Sequence, residues 1–181
     1  MPTELAEFLI FTAPTYDDVQ EVRAWRNADI AHLRTPFLLT EKMQKDFYYN
    51  VVCDRNSSSR FWSLQIQGQD GLIGFAGLIN IQWENRIAEI SLLINPKEQG
   101  KGHGNTAVYM MLWKGFRELN LINIFAECYH CNKALGFWQR MQAKYGGSSV
   151  NLPNRKFWDG QYWDSSYFNF NRLDYHKAVG Q

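Results

Sequence analysis

The segment Pro96-Lys97-Glu98-Gln99-Gly100-Lys101-Gly102-His103-Gly104-Asn105-Thr106 constrains this chain more than any other stretch. The apolar run at 87–94 before it reads as a strand, and residues 107–119 after it read as a helix. Strand, glycine loop and helix start therefore follow one another without a break. Three glycines in five residues allow positive φ and let a ligand come close to bare N–H groups. The helix start adds unpaired N–H groups and the positive end of its macrodipole, worth about 0.3–1 kcal/mol for a surface anion and up to about 2 kcal/mol for a partly buried one. A phosphate or pyrophosphate is the expected occupant. Gly-x-Gly-x-x-Gly is absent, and so is the Lys-Ser/Thr pair that holds a triphosphate and its magnesium, which argues against a nucleoside triphosphate.

The rest of the chain reads as alternating strands and helices. Residues 8–12 are apolar and β-prone and predict a first strand. Thr15, with Asp17 and Asp18 behind it, predicts an N-cap for a helix that carries Val19, Val22, Trp25 and Arg26 on one face. Residues 34–39, broken by Pro36, read as a loop. Thr40 can cap a second helix through Val52. Residues 61–67 and 72–82 predict a hairpin across a Gly68-Gln69-Asp70-Gly71 turn, with Gly74 and Gly77 marking close packing or a bulge. After a turn at 83–86 comes the strand that enters the glycine loop. A helix at about 104–120 and a buried strand at 121–128 then complete a βαβ unit, whose two strands should be parallel neighbours. A short helix at 132–144 ends at Gly146-Gly147. Residues 148–157 and 161–170 predict a closing hairpin, and the last half-dozen residues look frayed.

The loop resembles the pyrophosphate-binding signature of the GNAT acetyltransferase superfamily, Gln/Arg-x-x-Gly-x-Gly/Ala, in Gln99, Gly102 and Gly104. Trp25-Arg26-Asn27, Gly74-Phe75-Ala76-Gly77, Ala88-Glu89-Ile90 and Asp159-Gly160-Gln161-Tyr162-Trp163-Asp164 follow the order seen in its ribosomal-protein N-terminal, spermidine and nucleotide-amino-sugar acetyltransferase branch. The resemblance implies a mixed α/β (α+β) fold, a single acetyltransferase domain over 1–181. Its central sheet would have about seven strands, mostly antiparallel with one splayed parallel pair, and about four flanking helices. The implied co-substrate is acetyl-CoA. Its diphosphate would lie on Gln99, Gly100, Lys101, Gly102, His103, Gly104 and Asn105, and its pantetheine arm along the backbone of Leu92, Leu93 and Ile94. Arg34, Thr35 and Phe37 would help form the acceptor pocket, against the plainer reading of an ordinary connector.

Acetyl transfer to an amine needs proximity, a neutral nucleophile, a site for the developing oxyanion and an exit for the thiolate. A primary amine is neutral in only about one molecule per thousand at pH 7, so a carboxylate base would help. Counting by two along 87–94 puts Glu89, Ser91 and Leu93 on one face and Ala88, Ile90, Leu92 and Ile94 on the other. Glu89 is the first candidate base, with an ion pair to a neighbouring Arg or Lys as the equal alternative. Glu84 and Glu127 are the fallbacks, and Glu84 is also a candidate substrate contact. Many relatives place a Tyr acid seven residues after an Asn in the following helix. Here that position holds Trp138 if Ala134 sets the register, or Gln139 if Asn132 does. Indole cannot act as an acid near neutral pH, so Trp138 is a candidate cofactor wall, Asn132 a candidate cofactor contact, and Tyr129 or Tyr162 a substitute phenol.

Nineteen Lys and Arg against eighteen Asp and Glu give a net charge of +1, too little to draw the protein to nucleic acid or an anionic membrane. No early apolar run has the length of a membrane segment, and residues 1–7 carry acids where a secretory leader carries bases, which points to the cytoplasm. Cys53, Cys128 and Cys131 make no even disulfide framework. Cys128-Tyr129-His130-Cys131 lacks two further ligands at regular spacing, so no metal is expected. The expected activity is acetyl-CoA-dependent N-acetylation of a small-molecule primary amine, an amino-sugar nucleotide or a polyamine, by direct attack in a ternary complex of a monomer or homodimer. The alternatives are a protein N-terminal acetyltransferase and a non-catalytic acyl-CoA-binding module.

Overall fold

The structure, a computed structural model, describes residues 8–180. The acid-rich start at residues 1–7 lies outside them, as does Gln181.

The strands are β1 (Leu9–Thr12), β2 (Arg60–Ile66), β3 (Gly74–Gln82), β4 (Ile87–Ile94), β5 (Asn123–Tyr129), β6 (Ser148–Trp158) and β7 (Gln161–Asn171). They form one seven-stranded sheet in the order β1-β2-β3-β4-β5-β7-β6. Every neighbouring pair is antiparallel except β4 and β5. The helices are α1 (Tyr16–Ala28), α2 (Glu41–Phe47), α3 (His103–Trp113), α4 (Leu135–Tyr145) and α5 (Arg172–Ala178). The mixed sheet with its single parallel pair is the one expected. The fifth helix, α5, replaces the frayed end that the sequence reading gives. Asn171 caps it by accepting from the Leu173 N–H, and Tyr175, fully buried, packs on Phe116 at 5.2 Å.

Local rules set several of these boundaries. Thr15 caps α1 as expected: its hydroxyl accepts from the Asp18 N–H at 3.1 Å and the Asp18 carboxylate accepts from the Thr15 N–H at 2.9 Å. That reciprocal pair satisfies two orphan donors, typically for about 1 kcal/mol. Both α2 and α3 run on into wider π-type turns, at Tyr48–Val52 and Lys114–Glu118. Gly146, at φ 72°, stops α4.

Side-chain alternation sorts the sheet into two faces. Ala88 and Ile90 of β4 join Leu78, Val108, Met111, Leu112, Ile124 and Phe168 in the core under α3 and α4, with Leu92 and Ile94 packed against it. Leu93 turns the other way and packs with Val19, Val22, Leu72 and Phe75 under α1. Glu89 lies two residues from Ser91 and four from Leu93, so its side chain leaves β4 on the α1 side. In β3, a Cβ at Gly74 would stand 2.7 Å from the Leu93 carbonyl oxygen, and one at Gly77 would stand 2.6 Å from the Phe61 ring. Both glycines mark close packing. The bulge of β3 falls instead between Ile79 and Gln82, where Asn80 takes φ 51°.

The parallel pair positions the site. β4 and β5 register only at Ile87↔Asn123, Ala88↔Ile124 and Glu89↔Phe125. Beyond Glu89 they part, each held by its outer neighbour: β4 by β3 up to Ile94↔Gly74, β5 by β7 up to Tyr129↔Ser165. At the closed end Arg86, in the β3–β4 turn, donates from Nε to the Asn120 carbonyl at 2.8 Å and from Nη2 to its side-chain oxygen at 2.6 Å. The open end faces the glycine loop.

Candidate active site

The glycine loop closes one end of this opening. Gly102 has φ 92°, which a side chain adopts only with strain, and it is the N-cap of α3. The Asn105 and Thr106 amides return to the Gly102 carbonyl at 3.0 and 3.4 Å, while the first-turn amides ahead of them have no intrahelical acceptor. A Cβ at Gly104 would stand 3.2 Å from the Phe137 ring of α4, so α3 and α4 approach each other closely here. His103 is 9% exposed and its Nε2 has no hydrogen-bond partner; the nearest charge is Glu98 Oε2 at 3.7 Å. Lys101 holds Glu98 at 2.8 Å, and that bond keeps the Glu98 carboxyl below its ordinary range. A buried ring nitrogen without a partner, beside open helix amides, fits an anion with oxygens to share.

Several of the expected cofactor contacts are committed within the chain. Gln99 donates to the Ile94 carbonyl at 3.2 Å. The Asn105 side-chain oxygen accepts from Tyr145 at 2.9 Å and Lys144 at 3.3 Å. Asn132 donates to the His32 carbonyl at 3.0 Å and accepts from the Ala134 N–H at 2.8 Å, which starts α4. Trp138, 8% exposed, stacks on Phe168 at 6.3 Å and meets Phe137 edge-on at 5.2 Å. Leu92, Leu93 and Ile94 lie opposite Ala76, Phe75 and Gly74 of β3 on one edge, and β5 does not pair with the other.

On the opposite side of the sheet a charge cluster spans the opening. Glu89, 7% exposed, accepts from Arg34 at 2.5 and 3.3 Å and from Asn80 Nδ2 at 3.1 Å. The β3 bulge re-aims Asn80 to this carboxylate. The Arg34 guanidinium also reaches Glu127 Oε2 at 3.4 Å, and Glu127 Oε1 accepts from Arg155 Nε at 2.9 Å and the Ser165 hydroxyl at 2.7 Å. The bonds to Glu89 push the Arg34 guanidinium above its ordinary value. Burial raises Glu127, but its bonds from Arg155 and Ser165 outweigh that and hold its carboxyl below the usual range. Tyr167 faces the same cluster; burial first, then the Glu89 and Glu127 charges, push its phenol up to about 12. A carboxylate offers roughly four lone-pair directions, and Arg34 and Asn80 take three of those on Glu89. Of its two readings, base or ion pair, the geometry realises the ion pair and leaves one direction open.

The structure therefore brings Arg34, Glu89 and Glu127 together, three residues from two strands and a loop. Tyr129 stands beside Arg34 and, after Glu89, helps to raise its guanidinium. Tyr162 is 65% exposed on the hairpin against Phe157, and Phe37 is 51% exposed. Glu84 lies exposed in the β3–β4 turn, at the end of β4 away from the glycine loop. Sequence reasoning missed Asn80, Arg155, Ser165 and Tyr167. Asn80 had a signal, a polar amide between Ile79 and Ile81 in a strand; the others had none that local pattern could supply. Trp25-Arg26-Asn27 acquires a structural role: Asn27 exchanges two hydrogen bonds with Leu39 at 2.8 and 2.9 Å and Arg26 donates to Thr35 at 3.2 Å, anchoring the loop after Arg34. The Cys128-Tyr129-His130-Cys131 run is dispersed. Burial pushes the Cys128 thiol up to about 12, His130 pairs with Ser166 at 3.0 Å, and Cys131 points to the Ala31 carbonyl. Among the described residues no group of His, Cys, Asp and Glu is placed to hold a metal ion, and no helix is long and apolar enough to cross a membrane.

A parallel pair that parts beside a glycine turn leaves a free strand edge for an extended thioester arm and helix amides for its phosphates. That framework defines an acyltransferase drawing on an acyl-coenzyme A. Residues 9–140 match the acetyltransferase (GNAT) domain, and the chain belongs to this family, acyltransferases that take the acetyl group from acetyl-CoA. The chain is similar to a spermidine N(1)-acetyltransferase of Vibrio cholerae, 36% identical over 77 residues, which span 42% of this chain and 43% of that protein. It is also similar to a spermidine N(1)-acetyltransferase of Escherichia coli K12, 28% identical over 75% of this chain and 72% of that one. Among solved structures it is similar to the crystal structure of a Vibrio cholerae spermidine N-acetyltransferase in complex with CoA and spermine: TM-score 0.81, 22% identity, 92% of this chain and 97% of that one. At that identity the likeness establishes the fold.

Proposed function

We propose that this protein acetylates a primary amine of a polyamine by direct attack on acetyl-CoA in a ternary complex. The observation that carries the reading is the pair of carboxylates on Glu89 and Glu127, whose side chains are 10% and 7% exposed, spanned by one half-exposed cation, Arg34, where β4 and β5 part. With Arg34 in place, a ligand ammonium can donate to the lone pair left open on Glu89. The relatives named as spermidine acetyltransferases support that acceptor class over an amino-sugar nucleotide.

In this reading the amides of residues 99–105 and the His103 ring hold the diphosphate, the free edge of β4 at residues 92–94 pairs with the pantetheine arm, and Trp138 is the wall behind it. Glu89 takes the ammonium proton through its open lone pair, directly or through water. The amine nitrogen then bonds to the thioester carbon, the carbon–sulfur bond breaks, and the second proton the nitrogen sheds passes to the departing thiolate, directly or through water. Trp138 cannot supply its proton, and a thiol of pKa about 8.5 departs without a strong acid, with Tyr129 the candidate phenol beside Arg34.

The test is turnover with acetyl-CoA against spermidine, a nucleotide-linked amino sugar and an N-terminal peptide, read as the mass of the acetylated product. Spermidine should be preferred, and Glu89→Gln should lower kcat by about 10²-fold or more with unchanged CoA affinity. Coenzyme A binding without turnover on any of the three amines would instead support the non-catalytic acyl-CoA-binding module.

A further inference from the structure

β6 is an edge strand, and along Ser148–Trp158 the one buried residue is a lysine: Lys156 is 7% exposed while its neighbours Arg155 and Phe157 are exposed. A solvated edge lysine is ordinary; an inward one needs a cause. The cause is a bulge. The β6–β7 register runs Leu152↔Ser165 and then Lys156↔Trp163, four residues on β6 against two on β7. Asn154 takes φ 54° inside it, and its N–H donates to Asp164 Oδ1 at 2.9 Å. Such a bulge re-aims the side chains after it: Arg155 goes to Glu127 and Lys156 goes inward.

No carboxylate meets Lys156 within ion-pair distance among the described residues. Its ammonium donates to the carbonyls of Leu33 at 2.5 Å, Ala31 at 2.6 Å and Ile30 at 3.5 Å, and lies 5.3 Å from the ring centres of Tyr129 and Trp158. Those carbonyls belong to the turn that ends one residue before Arg34. The other side of the same loop is held by Arg26 and Asn27. Arg34 therefore leaves a loop fixed on both flanks.

We infer that Lys156 is the positioning residue of the acceptor site, binding the backbone of residues 30–33 so that Arg34 spans Glu89 and Glu127. The kinetic arm of its test rests on the function proposed above; the structural arm does not. Hydrogen exchange is followed at the His32 and Leu33 amides, which bond to Asp29 and Ile30 at 3.2 and 3.3 Å. Lys156→Met, which keeps the stem and removes the donors, should speed their exchange at least about tenfold, with the Asn105 and Thr106 amides unchanged. Lys156→Gln, which retains two donors, should fall between. With spermidine as acceptor, Lys156→Met should raise the spermidine KM by about tenfold and leave the acetyl-CoA KM alone. In an Arg34→Ala background it should change kcat/KM for spermidine by less than about twofold, because the positioned group is gone. A merely structural lysine would act equally in both backgrounds. Parental exchange at His32 and Leu33 in both Lys156 variants, or independent effects in the double variant, would overturn the inference. Absence of spermidine turnover in the parent would count against the proposed function while the exchange measurement still decides this one.

Discussion

Replacing Ser165 by alanine tests how the acceptor cluster is held. Ser165 is fully buried and donates its hydroxyl to Glu127 Oε1 at 2.7 Å. A hydrogen bond to a charged group contributes about 1.5–3 kcal/mol. Arg155 Nε still serves the same oxygen at 2.9 Å, so the loss should fall at the lower end, about 1.5–2 kcal/mol. For a chain of this length that is roughly a 3–8 °C fall in Tm. The pH dependence gives the reasoning a second handle. Glu127 has its carboxyl held below the ordinary range, so its contribution is fully present above the unfolded value, about 4.3, and is lost as pH falls through the lower folded value. The gap between parent and Ser165→Ala should therefore be constant from pH 7 to about 5.5 and narrow as the pH is lowered through the acid range. Differential scanning calorimetry across that range measures both quantities. An unchanged Tm at pH 7, or a gap that stays constant into acid, would refute the assignment of this bond to a charged Glu127.

Two further outcomes test the framework. Gly115→Ala places a Cβ 2.3 Å from Ile124 Cδ1 and 3.2 Å from Leu78 Cδ1; overpacking of this kind costs about 1–3 kcal/mol, and urea unfolding should show it as a lower midpoint with an unchanged slope. Thr15→Ala removes the capping box of α1 and should cost about 1 kcal/mol by the same measurement, with CoA affinity unaltered.

The strand, loop and helix around the glycines were legible because each was written locally. The apolar run at 87–94 is β4 from end to end, and the glycines mark both the positive φ at Gly102 and the close approach at Gly104. The helix α5 was not legible: at seven residues it has too little periodicity to stand out, and it is held by the single deep insertion of Tyr175. The charge cluster lay beyond sequence reasoning for a different reason. Arg34 finds Glu89 across 55 positions and Glu127 across 93, and Lys156 finds the Ala31 carbonyl across 125. No spacing rule reaches that far. Pairing was therefore an open alternative for Glu89, with its partner unnamed, while Glu127 was only a fallback and Lys156 an unremarked strand residue.

Calorimetric titration with coenzyme A tests the central claim, that main-chain groups of the glycine loop hold the diphosphate at the mouth of the split sheet. The parent chain should bind coenzyme A saturably, one to one. Gly104→Val, which drives its side chain against Phe137 at the α3–α4 contact, should weaken that binding by about tenfold or more. No heat with the parent, or parental affinity in Gly104→Val, would contradict it.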